Sequence, residues 1–178
     1  MSGNYEEELI TERELKERAL ELAKASREQE SQPDLPLLLF SRGGNYFGLP
    51  ASAVSEVLSA PEIYPLPLAP DFAPGLVNLR GELIGAVEAA ALFGLKDAGP
   101  ASEAVILRSG GRVLALLAGK TEGVSYFDSL TLEPVLSTLP PEAARFFDGA
   151  VNSGGRPAAV INTEMIFEYP RLKEYCGE

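Results

Sequence analysis

Near the start of the chain, Leu15, Ala19, Leu22 and Ser26 recur at three- and four-residue spacing and form one face, with charged residues on the others. This spacing predicts an amphipathic α-helix over residues 11–29, and Thr11 and Glu14 supply the T-x-x-E pattern of a helix N-terminus. The apolar stripe is thin and shorter than three heptads. The helix is therefore either a solvated segment or a short element that pairs or docks.

From Leu37 onward the apolar residues come in short runs separated by paired glycines, which is typical of β-hairpins. Three such stretches are LLLFSRGGNYFGLP, EAVILRSGGRVLALLA and DGAVNSGGRPAAVIN, which begin at Leu37, Glu103 and Asp148. Glycines at these turns supply the positive φ that hairpin twist requires. A phosphate-binding nest is the alternative, but no helix is evident after any of the three turns.

An internal repeat relates two parts of the chain. The motif G-x-V-N-x-x-G, followed by an apolar strand and a phenylalanine, begins at Gly75 and again at Gly149. Both copies follow a proline-bearing segment, and the first of these, APEIYPLPLAP, is predicted to be a crossing loop. The repeat predicts two small β-barrels. Arg80 has no counterpart, because Gly154 occupies its position in the second copy.

Composition excludes several classes of function. The 178-residue chain has 15 Lys and Arg against 26 Asp and Glu, a net charge of −11, so it is not expected to bind nucleic acid or an anionic membrane surface. It has no histidine and one cysteine, so an internal disulfide is impossible. We find no signal-peptide pattern and no apolar run near the ~18 residues of a membrane span. A soluble, cytoplasmic protein without membrane insertion is expected.

No group of residues predicts catalysis, a metal site or a cofactor. The string AGKT resembles the end of a P-loop, but Leu114 stands where the first glycine is required. A Ser-His-Asp triad cannot form without histidine. Acids such as Glu82 and Glu88 are unpaired in sequence and are interpreted as solvated surface. The chain is therefore predicted not to be an enzyme, to use no cofactor or metal, and to act through its surfaces.

The order of these features resembles the CheW-like family of chemotaxis coupling proteins. The strings that carry the resemblance are YFGLPASAVSEVLS, the proline-rich loop and APGLVNLRGELIGAVEAAALFGL, within a likeness that extends from Leu37 to Phe167. The string PGLVNLRG is the most distinctive of them. The resemblance implies a mainly β fold of two five-stranded SH3-like β-barrels that share a hydrophobic core. The N-terminal α-helix precedes this fold.

The resemblance also implies a division into domains. Residues 1–32 are the acidic helix and linker, and residues 33–178 are the CheW-like domain, with barrel subdomains at roughly 33–100 and 101–170. The sequence departs from the family where the pattern I-P-V-x-D-L reads IGAVEA, with Glu88 at the position of the acid. Such departures leave open a chemosensory-like pathway other than swimming chemotaxis.

CheW-like proteins are scaffolds without enzymatic activity, and the resemblance implies that role here. Such a scaffold couples the cytoplasmic tips of chemoreceptors to the regulatory domain of a CheA-like histidine kinase. Carried over by position, the kinase-binding residues are Val54, Glu56 and Val57, and the receptor-binding residues are Asn78, Leu79, Arg80 and Gly81. Self-association through the barrels or the N-terminal helix is a further expectation.

Without the family resemblance, the sequence allows more than one role for several of these residues. Arg80 is either a structural arginine that pins a loop through its carbonyls or the anchor of a binding surface. Val54 and Val57 are either core residues or a small apolar interface patch. For the protein as a whole, the alternative is a small-molecule-binding β-barrel protein with its ligand between the barrels.

Overall fold

The computed structural model describes residues 16, 18, 33–96, 98–134 and 140–172. The chain divides into two units, Met1–Gln32 and Pro33–Glu178, at the expected end of the linker. In the first unit Lys16 and Arg18 are helical and exposed, and the rest of the predicted helix over 11–29 lies outside the described residues. None of the helices in the described segments has the length and apolar character needed to span a membrane.

The described part of the second unit consists mainly of short strands. The strands are β1 (Leu35–Arg42), β2 (Asn45–Pro50), β3 (Val54–Ser59), β4 (Ile63–Pro65), β5 (Gly75–Leu79), β6 (Glu82–Glu88), β7 (Glu103–Ser109), β8 (Arg112–Ala118), β9 (Thr121–Phe127), β10 (Phe147–Ser153) and β11 (Arg156–Ile161). Short helices connect some of them: α1 (Ala89–Leu92), α2 (Pro141–Ala144) and α3 (Thr163–Phe167). A mainly β fold is therefore confirmed.

The three glycine-marked hairpins are confirmed as β1–β2, β7–β8 and β10–β11, each an antiparallel pair. Their turns are Gly43-Gly44, Gly110-Gly111 and Gly154-Gly155. The first glycine of each turn has a φ of 55° to 59° and the second a φ of 73° to 85°. Positive φ at both central residues is the type I′ geometry, which matches the twist of the paired strands.

The strands form two mixed sheets. In the described part of the chain, the five-stranded sheet has the order β10-β11-β2-β1-β9 and the six-stranded sheet the order β3-β7-β8-β6-β5-β4. The pairs β11–β2 and β6–β8 are parallel, and they join strands from the two halves of the chain. The predicted subdomains 33–100 and 101–170 therefore do not correspond to the two sheets, because each sheet takes strands from both.

The six-stranded sheet curls strongly. In a flat sheet β3 and β5 would lie about 19 Å apart, at about 4.8 Å per strand. Yet Arg80, at the end of β5, contacts Glu56 on β3 at 3.0 Å. In the five-stranded sheet, Glu133 follows β9 and pairs with Ala150 on β10, the opposite edge strand. That each sheet is an SH3-like barrel stays a prediction.

Among the described residues, buried apolar side chains form three clusters. The central cluster draws on both sheets, and each sheet also has a cluster of its own. Consecutive residues of β1 alternate between them: Leu38 and Phe40 belong to the central cluster, and Leu37 and Leu39 to the cluster of the five-stranded sheet. A strand that is buried on both faces has a continuous apolar run in its sequence. This explains the runs LLLF in β1 and LALLA in β8.

A buried ion pair joins the two sheets. Arg42, at the end of β1, is only 4% exposed, and its Nε and Nη2 donate to the two carboxylate oxygens of Glu88 at 2.9 and 2.7 Å. Arg42 also donates to the carbonyl oxygens of Ala98 at 3.2 Å and Gly99 at 3.0 Å. Glu88 ends β6 and accepts the N–H of Ala90 at the start of α1, at 3.0 Å.

This pair corrects two interpretations drawn from the sequence. Glu88 was assigned to a solvated surface, but it holds a buried guanidinium through both oxygens. The loop-pinning role considered for Arg80 belongs to Arg42, because Arg42 is the arginine whose donors reach loop carbonyls.

We expect Arg42→Met to lower the free energy of unfolding by about 3–5 kcal/mol, because it leaves the Glu88 carboxylate without its partner in a largely desolvated place. Urea denaturation at neutral pH measures this loss. The matched control is Arg108→Met, which removes an exposed arginine that donates to Ser55 at 3.2 Å; a change within about 0.5 kcal/mol is expected there. Similar losses in both variants would contradict a structural role for the buried pair.

The proline-rich loop contains the short edge strand β4 and, beyond it, a tight turn. The N–H of Ala69 donates to the carbonyl of Leu66 at 3.3 Å, with Pro67 and Leu68 between them. Leu68 has a φ of 61° and its side chain is fully exposed. Proline followed by a positive φ is the pattern of a type II turn, in which glycine is favoured at the second of these positions.

We expect Leu68→Gly to raise the free energy of unfolding by about 0.5–1 kcal/mol, because relief of the left-handed strain exceeds the entropy that glycine adds to the unfolded chain. Chemical denaturation measures this change. Leu68→Ala is the control, since it removes the same exposed side chain but keeps the Cβ and the strain. Equal stability of the two variants would contradict strain at this position.

Candidate functional site

The predicted kinase-binding residues lie on β3, an edge strand paired with β7. The register shifts between Val54 and Glu56, so the strand has a β-bulge there. Alternation without a bulge would place Val54 and Val57 on opposite faces. With the bulge, they lie opposite Leu107 and Val105, both members of the central cluster. The two valines therefore share one face of β3.

Val54 and Val57 differ in exposure. Val54 is partly buried and packs against the central cluster, whereas Val57 is 37% exposed. Glu56 lies opposite Ile106, which belongs to the cluster of the six-stranded sheet. The carboxylate is therefore on the other face of β3 from the two valines, which form a small apolar edge of their own.

The predicted receptor-binding residues form the tip of the β5–β6 hairpin, and most of them hold the hairpin itself. Leu79 is 5% exposed and belongs to the cluster of the six-stranded sheet. Asn78 is exposed, but its Oδ1 accepts the N–H of Gly81 at 2.7 Å. Gly81 has a φ of 96°. Arg80 is the member of this group that extends away from the fold, with 80% of its side chain exposed.

The conformation of Arg80 is unusual for an arginine. Its φ is 54°, and Gly154, its counterpart in the second copy of the repeat, has a φ of 59°. Asn152 Oδ1 accepts the N–H of Gly155 at 2.7 Å, the same bond that Asn78 makes in the first copy. The two tips are therefore the same turn. A residue with a Cβ at this place costs about 1–2 kcal/mol, so the turn does not explain the arginine.

Arg80 and Glu56 form an ion pair across the curled sheet. The Nη2 of Arg80 lies 3.0 Å from Oε2 of Glu56, whose side chain is 24% exposed. A predicted receptor-binding residue and a predicted kinase-binding residue are thus in direct contact. An ion pair this exposed contributes at most about 1 kcal/mol. The guanidinium can therefore exchange Glu56 for another carboxylate at little cost.

An apolar stripe that was not predicted lies beside the hairpin tip. Tyr64 on β4 is 43% exposed and lies opposite Leu76 on β5. Leu83 on β6 is 60% exposed and lies opposite Asn78. The hydroxyl of Tyr64 donates to Glu62 Oε2 at 3.0 Å, and this hydrogen bond raises the pKa of Tyr64. The outer face of these strands therefore carries exposed apolar side chains next to the turn that contains Arg80.

This surface has the chemistry of a contact site. It offers a guanidinium, one carboxylate and exposed apolar groups, which suit recognition of another protein. Within the residues that the structure describes, no cluster of three or more acidic or cysteine side chains is arranged to hold a metal ion.

The model of the CheW-like domain matches this chain over residues 36–171. The chain belongs to the CheW-like family. The match includes both sheets from the second residue of β1 onward, together with Val54, Glu56, Arg80 and the apolar stripe. The recognition that rested on PGLVNLRG and its neighbouring motifs is confirmed.

Individual CheW-like proteins are similar along most of their length. The Chemotaxis protein CheW of Rhizobium meliloti (strain 1021) is 26% identical over 133 residues, which cover 74% of this chain and 86% of that protein. Protein FrzA of Myxococcus xanthus is 27% identical over 153 residues, which cover 81% and 92%. The Chemotaxis protein CheW of Treponema pallidum (strain Nichols) is 25% identical over 151 residues, which cover 79% and 86%.

A solved structure has the same fold. The crystal structure of the scaffolding protein TtCheW from Thermoanaerobacter tengcongensis superposes with a TM-score of 0.67 at 25% identity. The superposition covers 77% of this chain and 94% of that chain. The arrangement of the two sheets is therefore that of a CheW-like domain.

We expect Arg80→Gly to keep or slightly raise the melting temperature, because glycine adopts the positive φ without strain and the ion pair to Glu56 is weak. Gly81→Ala is the matched variant at the next residue. It should lower the melting temperature by about 2–6 °C, since it introduces strain of about 1–2 kcal/mol at a φ of 96°. Thermal denaturation of both proteins tests this. An Arg80→Gly protein that melts several degrees lower would make Arg80 a structural residue.

Proposed function

We propose that this protein is a non-enzymatic adaptor that couples chemoreceptors to a CheA-type histidine kinase in a chemotaxis or chemosensory-like pathway. The observation that carries the proposal is the exposed arginine at the hairpin tip, held at a φ of 54° where the repeat uses glycine. Its position in the string PGLVNLRG and membership of the CheW-like family support this role. In this proposal the protein works in the cytoplasm, and each curled sheet is an SH3-like barrel.

The edge strand β3 is the proposed kinase-binding face. Val54 and Val57 lie on one side of an edge strand, where an apolar surface of the kinase regulatory domain can pack against them. Burial of such a patch is favourable by about 25 cal/mol per Å² of apolar area. The Glu56 carboxylate on the opposite side fixes the register of the contact.

The hairpin tip is the proposed receptor-binding face. An arginine that stays charged and presents several donors can bind carboxylates on the helical tip of a receptor. The stripe of Tyr64, Leu76 and Leu83 adds apolar area beside it. Asn78, Leu79 and Gly81 contribute by holding the turn that presents Arg80. Self-association through the barrels or the N-terminal segment stays a prediction.

A small-molecule ligand between the sheets is the less favoured function. The rings of Phe40 and Phe47 lie 5.4 Å apart, and those of Phe47 and Phe93 lie 5.3 Å apart. All three side chains are essentially inaccessible to solvent and belong to the central cluster. This packed cluster occupies the space where the alternative function would place its ligand.

A binding titration against the regulatory domain of a CheA-like kinase from the same organism tests the adaptor function. We expect wild-type protein to bind with a Kd on the order of micromolar and Val57→Asp to bind at least about tenfold more weakly, because it buries an unpaired charge in an apolar contact. The matched control is Val124→Asp, the same change at a valine that is 51% exposed on the edge strand β9.

Arg80→Gly separates the two proposed faces. It should bind the kinase domain normally and lose binding to a receptor fragment that contains the cytoplasmic tip. Failure of wild-type protein to bind any such kinase domain would contradict the adaptor function. Equal losses in Val57→Asp and Val124→Asp would contradict the assignment of the kinase face to β3.

A further inference from the structure

A groove elsewhere on the second unit shares no residue with β3, the hairpin tip or the apolar stripe. It consists of two adjoining pockets that have Phe72, Ala91, Gly94 and Arg171 in common. The deeper pocket has a volume of about 160 Å³, and the other opens more widely to solvent. We call this feature the arginine groove because two arginines, Arg145 and Arg171, line it.

The floor of the arginine groove is aromatic. Phe72 and Phe146 are almost completely buried, and Tyr169 is half-buried between them. The ring of Tyr169 meets Phe72 edge-on at 5.8 Å and Phe146 edge-on at 5.3 Å. A cavity of about 150 Å³ with apolar walls accepts a molecule of the size of benzene. The deeper pocket therefore has room for one leucine or phenylalanine side chain.

Two exposed arginines stack on these rings. The guanidinium carbon of Arg145 lies 4.7 Å from the ring centre of Tyr169 and 5.0 Å from that of Phe146. The guanidinium carbon of Arg171 lies 4.8 Å from the ring centre of Phe72. A guanidinium held near a ring by a cation–π contact still has N–H donors that can bind a carboxylate.

The guanidinium groups of Arg145 and Arg171 donate no hydrogen bond to an acceptor in the described part of the chain. The other arginines of the second unit each donate a hydrogen bond to a described residue: Arg42, Arg80, Arg108, Arg112 and Arg156. Two acids, Glu142 and Asp71, also line the groove, but neither is in an ion pair with Arg145 or Arg171 among the described residues. In a chain of net charge −11, two guanidinium groups without an ion pair beside a pocket with an aromatic floor indicate an anionic ligand.

We propose that the arginine groove is a docking site for an acidic segment of a partner protein, which places one apolar side chain in the pocket between carboxylates that bind Arg145 and Arg171. The aromatic floor favours such a segment over a free phosphate, because phosphate has no apolar group to fill the pocket. Stacking holds the two guanidinium groups in place before the ligand arrives, which reduces the entropic cost of binding.

Fluorescence anisotropy with labelled peptides tests this site on the full chain at low ionic strength. One probe is the extended peptide acetyl-SEELEES-amide, and the second is a helical peptide with the same acid–leucine–acid pattern on one face. We expect at least one probe to bind with a Kd of about 100 µM or tighter. Replacement of the leucine by serine in that probe should weaken binding at least about fivefold, since the pocket is then left empty.

Variants of the protein distinguish this site from general attraction to acidic peptides. Arg145→Gln and Arg171→Gln should each weaken binding at least about fivefold, because each loses a charge-assisted contact. Arg108→Gln removes the same charge outside the groove and should bind as wild type does. The proposal is overturned if neither probe binds, if serine replaces leucine without loss, or if Arg108→Gln weakens binding as much as the groove variants do.

The outcome does not depend on the adaptor function. The groove contains none of the residues proposed to bind the kinase or the receptor, so the peptide titration and the kinase titration can fail separately. Loss of kinase binding in the Arg145→Gln or Arg171→Gln protein, with peptide binding absent in wild type, would also overturn the proposal, because the groove would then belong to the kinase face.

Discussion

The structure depends on the packing of two curled sheets against one central cluster of apolar side chains. Phe40, Phe47 and Phe93 occupy that cluster, and the strands around it are buried on both faces. Because the middle strands have no free face, every polar group near them must find a partner inside the protein. The bidentate contact of Arg42 with Glu88 meets that requirement where the end of β1 approaches β6. Contacts with other proteins are left to edge strands, turns and grooves at the rim.

The sequence predicted the local structure well because local structure has local causes. Paired glycines identified three hairpins, since the type I′ turn that joins such strands tightly needs a positive φ at both positions, which glycine adopts without strain. The strand order was not predictable in the same way. It depends on the parallel pairs β11–β2 and β6–β8, which connect distant residues and leave no periodic signal. The repeat therefore predicted two similar halves, but not how strands from both halves combine in each sheet.

The candidate site was predictable in part. Comparison of the two repeat copies drew attention to Arg80. The structure places Arg80 and Gly154 in the same kind of turn, with φ of 54° and 59°, so the turn does not require an arginine, and its binding role stays a prediction. The contact of Arg80 with Glu56 forms only because the six-stranded sheet curls. The distance between the two residues along the sequence gives no indication of this contact. Leu83 was detectable, because an apolar residue beside Ile84 in a strand must face outward when Ile84 faces inward. Arg42 carried no signal that distinguished it from an exposed arginine.

Two exposed residues show how the fold distributes strain. Leu68 and Arg80 both adopt a positive φ, at 61° and 54°, and both side chains point into solvent. Such positions cost about 1–3 kcal/mol and persist only where the surrounding structure fixes them. Arg80 is fixed by the β5–β6 ladder and the bond from Gly81 to Asn78, and Leu68 by the prolines on either side of its turn. The packed central cluster thus stabilises the fold enough to tolerate strained turns at Leu68 and Arg80. Each strained turn fixes the position of its exposed side chain, and neither side chain belongs to the central cluster.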